Sequence, residues 1–239
     1  MGGGKSRRLD WPDCCNTRDL GGLPRQGGAT RSGVLVRSDS TTNLTPIGLE
    51  AMRTYGVRLV VDLRTAAELV RTPNPVATAG SPSYVNVPLI DDPLMHRLDA
   101  AADGLQRYLM ILDERSRSFQ AVFELLAKTE GPVVVHCAAG KDRTALVAAM
   151  MLDLAGVPDE SIGEDFAESE AMLAGRFEEW ISAAPLERRA AMRADLRCPP
   201  ARIVAALDHL RSGWGGVGGY LEAAGVSTRD LNRLSSKLT

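Results

Sequence analysis

Lysine is nearly absent. Of the 28 Lys plus Arg in this 239-residue chain, only Lys5, Lys128, Lys141 and Lys237 are lysines. With abundant Ala, Arg and Gly, this is the coding bias of a GC-rich, bacterial genome, and it explains most of the arginines without a function. No basic excess exists either. The formal net charge is −2, which argues against a general nucleic-acid or membrane-surface binder. Four cysteines are too few for a disulfide scaffold. Without a C-x2-C pair or a His cluster, a zinc site is not expected, and no metal or other cofactor is called for. No apolar run approaches the roughly 18 residues that span a bilayer. No apolar h-region follows the amino terminus, so a cytoplasmic protein with reduced thiols is the expectation. What is present is ordinary for a globular protein, with 44% hydrophobic and 24% charged residues. Length allows one large domain or two small ones; the lack of a linker or internal repeat favours one.

The amino terminus reads MGGGKS. Gly2 and Ser6 have myristoylation spacing, but a bacterial chain does not use that signal. Gly4-Lys5-Ser6 imitates the end of a nucleotide-binding P-loop without its first Gly or a preceding strand. Residues 1–15 are read as a flexible leader and 16–239 as a single domain.

Within that domain, residues 33–37 and the β-branched run 57–63 predict strands. Thr45-Pro46 predicts an N-cap and first helical position, with Gly56 as the stop. A short helix follows over 65–71, a strand over 84–89, and helical character over 91–130. The uniformly apolar 132–136 predicts a strand covered on both faces. An apolar helix over 144–155 follows, and only helices after Pro158. The fold class is therefore α/β, a central sheet flanked by helices, with extra C-terminal helices.

Between the apolar strand and the apolar helix lies His136-Cys137-Ala138-Ala139-Gly140-Lys141-Asp142-Arg143-Thr144. Cys and Arg five residues apart can bracket a loop whose N–H groups converge on one tetrahedral anion, with a helix N-terminus behind it. Gly140 permits a left-handed or crowded backbone. Arg143 offers a planar fork for two phosphate oxygens. The same donors support negative charge on the Cys137 sulfur, making it a nucleophile toward phosphorus. Ala138, Ala139, Gly140 and Lys141 then line a phosphate site. Thr144 is placed to stabilise the thiolate when it leaves. A buried, inert Cys137 is the alternative, but the flanking His, Gly and Thr favour chemistry.

HCAAGKDRT resembles the signature of protein tyrosine and dual-specificity phosphatases. Its Lys-Asp pair is similar to a bacterial subgroup with tyrosine and phosphoinositide phosphatase activity. Asn16 to Gly22 (NTRDLGG), Arg37-Ser38-Asp39, Asp62-Leu63-Arg64 and Gly218 to Leu221 with Ala224 to Val226 match further short motifs of that subgroup. The resemblance implies a metal-independent cysteine phosphatase. Its substrates would be phosphotyrosine proteins, with phosphoserine, phosphothreonine or phosphoinositides as extensions. It makes Cys137 the nucleophile, Arg143 the clamp, and His136 the residue that orders the loop.

The general acid is open among four carboxylates. Trp11-Pro12-Asp13 imitates a family acid triplet but lies far ahead of Cys137, so Trp11 is read as a packing residue. Asp91 and Asp92 follow a strand end where dual-specificity enzymes carry their acid. Asp62 is paired in sequence with Arg64 and is read as supporting. Asp142 is favoured, because the resembling subgroup is thought to use that position. A helix N-terminus lowers an acid's pKa, whereas a bound phosphate dianion raises it. Lys141, Arg64 and Arg18 are candidate extra cations, Lys141 hinting at substrates with more than one phosphate. One of Cys14, Cys15 and Cys198 would be a resolving thiol if Cys137 oxidises. Two other readings compete: a catalytically inactive phosphate-binding module, and sulfur-transfer or arsenate-reductase chemistry.

Overall fold

The computed structural model describes residues 6–101 and 103–239. In chain order it contains β1 (Arg18–Asp19), a small hairpin of β2 (Pro24–Arg25) and β3 (Gly28–Ala29), and β4 (Leu35–Ser38). There follow α1 (Pro46–Tyr55), β5 (Leu59–Asp62), α2 (Ala66–Arg71), β6 (Ser83–Asn86), α3 (Asp92–Asp99), α4 (Gly104–Glu114) and α5 (Ser116–Lys128). Then come β7 (Val133–His136), α6 (Arg143–Leu154), α7 (Asp159–Met172), α8 (Ala174–Ala183), α9 (Leu186–Leu196), α10 (Pro200–Trp214), α11 (Val217–Ala224) and α12 (Thr228–Lys237). The fold is α/β, as expected.

The five-stranded sheet has the order β1-β4-β7-β5-β6, parallel except for β1. Its register places Ser38, His136, Asp62 and Asn86 side by side at the carboxyl ends of four parallel strands. That edge is where open α/β sheets bind ligands. Central β7 is buried along its whole length. Val133 and Val135 join the large core with α4 to α6 and the C-terminal helices, while Val134 meets Val36, Val60, Met52 and Trp11 on the other face. The apolar reading of 132–136 reflects this two-sided burial.

Local signals fixed α1 well. Thr45 accepts the Gly48 N–H at 3.3 Å, Pro46 opens the helix, and Gly56 closes it at φ 87°. Elsewhere the structure differs. The helical stretch 91–130 is three helices, because Asp103 restarts the chain as an N-cap and Arg115 breaks it again. In α4 the buried face is Tyr108, Ile111 and Leu112, while Leu105 and Leu109 are only half-buried. Strand β6 ends at Asn86, three residues earlier than expected. β1, β2 and β3 are two residues each, too short to leave a periodic trace.

The leader also differs. Its residues 1–5, which hold all of the myristoylation and P-loop imitations but Ser6, lie outside the described residues. Residues 7–15, however, pack along the sheet edge: Asp19 N–H donates to Arg7 O at 2.8 Å and Leu9 N–H to Thr17 O at 3.1 Å. Trp11 is buried and meets the Tyr55 ring edge-on at 5.8 Å. A large aromatic with a pocket to fill anchors the segment; Asp13 beside it is exposed.

Candidate active site

The loop from Cys137 to Asp142 joins β7 to α6, and its shape is imposed from outside. The Cys137 carbonyl accepts from His136 Nδ1 at 3.1 Å, Ala138 O from Ser40 N–H at 3.0 Å, Ala139 O from Asn16 Nδ2 at 3.0 Å, and Gly140 O from Arg37 Nη2 at 2.8 Å. Four successive carbonyls are thus held on the outer side. In a trans peptide the N–H points opposite to the C=O, so the N–H groups of residues 138–141 turn toward the loop's centre. Such a nest binds anions. Gly140 sits at φ 66°, and a Cβ there would overlap the Ser38 carbonyl. Only glycine fits.

A buried polar network supports one flank. His136 Nδ1 faces a carbonyl, so it carries the hydrogen and Nε2 accepts; Nε2 has Asn74 Nδ2 at 3.1 Å and Thr41 Oγ1 at 3.3 Å. Asp62 Oδ2 is 3.4 Å from Nε2, and the Asn74 amide, 3.2 Å from Oδ2, donates into the gap between these two acceptors. Burial opposes ionisation of Asp62, yet its carboxyl is lowered to about 2 by His136 and Arg64. Burial also pushes His136 below its ordinary value against the pull of Asp62. The imidazole is therefore neutral at physiological pH, and Arg64, whose Nη2 meets Asp62 at 2.7 Å, is the standing counter-charge. Arg64 also donates to Thr72 O at 3.0 Å. Asp62 and Arg64 share this buried network with Thr41, Asn74 and Tyr84, whose hydroxyl reaches Asp62 at 3.0 Å.

A second network explains the amino-terminal motifs. Arg37 spans from Gly140 O to Asp165 on α7, at 2.6 Å. Arg18 donates to Asp165 Oδ1 at 3.0 Å and to Asn16 at 2.6 Å, and Arg7 reaches Asp165 at 2.8 Å. Burial opposes charge on Asp165, but these three guanidinium groups hold it ionised far below the usual carboxylate range. Arg18 is consequently a structural cation, spent on Asp165. Asp39 fixes the Cys15 and Asn16 N–H groups at 3.0 and 2.9 Å and pairs with Arg176 at 2.9 Å.

Arg143, the first residue of α6, is buried and pairs with Glu68 through both terminal nitrogens, at 2.6 and 2.8 Å. Burial would lower its pKa, but Glu68 raises it. Its Nε has no hydrogen-bond partner among the described residues. Glu68 also accepts the Thr65 N–H at 2.8 Å, closing a capping box at the start of α2. Sequence reasoning missed Glu68; the Thr65-x-x-Glu68 spacing signals the cap but not the partner across the fold. Cys137 is 3% exposed at the base of the loop. Thr144 Oγ1 is buried without a hydrogen-bond partner, an orphan that costs roughly 1–3 kcal/mol.

Asp142 stands at the N-cap position of α6 but makes no side-chain cap bond. Its carboxylate instead accepts from Tyr108 at 2.7 Å and lies 3.4 Å from Lys141. Its side chain is half-buried, which pushes its pKa up, and Lys141 and Tyr108 outweigh that and pull it down. With Arg143 it lines a cavity of about 200 Å³ whose apolar wall includes Ile90, Leu98 and Ile111. Lys141 itself is buried, with Nζ donating to Asp195 O at 3.0 Å. It ties the loop to α9 and is not presented as a second phosphate ligand. Asp91 is occupied elsewhere, capping α3 through Leu94 N–H at 2.9 Å and pairing with Arg115; Asp92 is exposed. Burial pushes the Cys14 thiol up to about 12 and Cys198 up to about 11, so both are poor thiolates at neutral pH. Among the described residues, no group of three His, Cys, Asp or Glu could hold a metal, and no helix is long and apolar enough to cross a membrane.

Residues 9–239 match the family model described as the tyrosine phosphatase family. The chain belongs to the tyrosine phosphatase family. A tyrosine-protein phosphatase from Nostoc commune is 32% identical over 215 residues, 85% of this chain and 73% of that one. The triple specificity protein phosphatase PtpB of Mycobacterium tuberculosis is 26% identical over 278 residues, 95% of this chain and 97% of that one. The crystal structure of P. aeruginosa TpbA covers 69% of this chain and 89% of its own at 18% identity, with a TM-score of 0.32. The phosphatase is thus a phosphoric monoester hydrolase, and the inactive-module, sulfur-transfer and arsenate-reductase alternatives give way to that family assignment.

Proposed function

We propose that this phosphatase hydrolyses phosphotyrosine through a phosphocysteine on Cys137. The observation that carries the reading is the ring of four outward-tied carbonyls, which leaves inward N–H groups around an anion site above Cys137. The sulfur attacks phosphorus in line as the P–O bond to the leaving group breaks. Arg143 and the loop N–H groups hold the equatorial oxygens while charge redistributes. Asp142 gives its proton to the leaving oxygen. Water then attacks phosphorus, losing a proton to Asp142, and the P–S bond breaks with Thr144 donating to the departing thiolate.

Asp142 must first gain a proton, because Lys141 and Tyr108 favour its anion. A phosphate dianion brought into the loop raises its pKa by like-charge repulsion. The apolar wall of Ile90, Leu98 and Ile111 beside Asp142 and Arg143 suits an aromatic leaving group. The mycobacterial relative is a triple specificity protein phosphatase, which favours phosphoserine and phosphothreonine as further substrates. Phosphoinositides are a further substrate class through the resemblance of the whole signature loop; the buried Lys141, bonded to Asp195 O, adds no support for them.

The test is vanadate-sensitive hydrolysis of an aryl phosphate in the presence of a chelator. The parent is expected to turn over, while Cys137→Ser binds vanadate without turnover. Full activity in Cys137→Ser, or loss of parent activity on chelation, would sink the cysteine mechanism.

A further inference from the structure

We propose that Tyr108 is the positioning residue of the acid step: it holds Oδ1 of Asp142 so that Oδ2 alone carries the transferred proton. The inference rests on the reading of Asp142 as the acid. Tyr108 lies on the buried face of α4 and is 1% exposed, packed edge-on against Phe166 of α7 with ring centroids 6.3 Å apart. Its hydroxyl meets Asp142 Oδ1 at 2.7 Å, and Lys141 Nζ approaches the same oxygen at 3.4 Å. Oδ2 has no hydrogen-bond partner among the described residues. The carboxyl lines the cavity shared with Arg143.

These contacts divide the labour between two chemically equivalent oxygens. Burial and the neighbouring carboxylate raise the Tyr108 phenol well above its ordinary value, so it remains a donor at any working pH. An oxygen that already accepts from a phenol and faces an ammonium is a poor place for a proton. A proton arriving at Asp142 therefore settles on Oδ2. Lys141 is itself fixed by its bond to Asp195 O, so Oδ1 is approached from two sides by groups that are themselves anchored. The titratable and charged groups facing Asp142 from its surroundings are Lys141 on the loop, Asp99 on α3, Tyr108 and Arg107 on α4, Arg143 on α6, Asp195 on α9 and Cys198 just before α10. The same hydrogen bond that orients the carboxyl also favours its anion, so Tyr108 restrains premature protonation.

Tyr108→Phe keeps the packing against Phe166 and removes the donor. The Asp142 carboxyl, followed by carbon-13 NMR titration in the phosphate-free enzyme, is expected to titrate about one unit higher, the order set by one hydrogen bond to a charged group. The basic limb of kcat/KM for phenyl phosphate, a poor leaving group, should move up with it, while kcat for 4-nitrophenyl phosphate stays within roughly twofold because a good leaving group needs little protonation. Replacement of Tyr108 by 3-fluorotyrosine, a stronger donor of nearly the same shape, should move the carboxyl titration the other way. An unmoved titration in both variants, or equal loss on both substrates, would overturn the role of Tyr108. Asp142→Asn separates the two readings. If it slows phenyl phosphate far more than 4-nitrophenyl phosphate, Asp142 stands as the acid whatever Tyr108 does. If it slows both alike, the acid assignment fails and the role of Tyr108 fails with it.

Discussion

Removing Glu68 should damage both the fold and the phosphate clamp. Glu68 is the charge partner of Arg143, and the two side chains are only 12% and 10% exposed. Breaking such a buried pair strands one charge, at about 3–5 kcal/mol; partial exposure places this pair at the lower end. Glu68→Ala also opens the capping box of α2 at Thr65, worth about 1 kcal/mol. The expected loss is therefore about 3–4 kcal/mol, which for a chain of this size lowers Tm by roughly 6–16 °C. The catalytic effect is separate. Freed from a two-point anchor, Arg143 explores other rotamers, and misplacement of a clamp costs roughly ten- to a hundredfold in kcat/KM. Glu68→Gln keeps an acceptor for the Thr65 N–H and should lose less stability, while losing a similar share of kcat/KM. Urea unfolding and steady-state kinetics on an aryl phosphate read the two effects independently. A Glu68→Ala protein within 1 kcal/mol of the parent, with unchanged kcat/KM, would refute the reasoning that Glu68 both anchors and aims Arg143.

Two further outcomes follow from the loop's surroundings. Gly140→Ala forces a Cβ into the Ser38 carbonyl at a left-handed φ, so the protein should lose several kcal/mol by urea unfolding, roughly the cost of strain plus overpacking, and bind vanadate weakly; near-parent values would show that the loop does not need its shape. Asp62 has its folded pKa depressed to about 2, so it contributes stability above the unfolded carboxyl value near 4 that is lost as pH falls toward 2, on the order of 2–3 kcal/mol; Asp62→Asn should flatten the acid limb of stability against pH, and an unchanged limb would remove Asp62 as its source.

The signature loop was legible because its chemistry lies in nine contiguous residues between two apolar segments. The caps were legible for the same reason: Thr45-Pro46 and Gly56 act within a few residues of themselves. Legibility ended where partners came from elsewhere in the chain. Glu68 reads as one helix acid among many until Arg143 arrives 75 residues later. Asp165, Asn74 and Thr41 carry no periodic signal, since a buried polar residue within an amphipathic pattern resembles an exposed one. Lys141 looked like a free cation because sequence does not show α9 folding back to offer the Asp195 carbonyl. The glycine-rich start MGGGKS suggests a loose leader; the order of residues 7–15 depends on Trp11 finding a pocket and on backbone pairing with β1. Strand order was beyond reach, and with it the side-by-side placement of Ser38, His136 and Asp62.

That placement accounts for the scatter of the short motifs along the chain. An anion site made of backbone N–H groups cannot be built from the loop's own side chains, because every N–H turned inward sends a carbonyl outward that must be satisfied in a buried setting. Here the four carbonyls are met by Asn16 from the amino-terminal segment, Arg37 at the end of β4, Ser40 just beyond it, and His136 itself. Three of these donors are fixed in turn: Arg37 by Asp165 of α7, Asn16 by Asp39 and Arg18, His136 by Asn74 and Thr41. A change at Asp165, on the far side of the loop from substrate, should therefore be felt as a change in phosphate affinity through Arg37 and Gly140. The NTRDLGG and RSD motifs share a purpose because Asn16 and Arg37 each close one outward hydrogen bond of the same loop, whereas Asp62 and Arg64 reach it only through the network at His136.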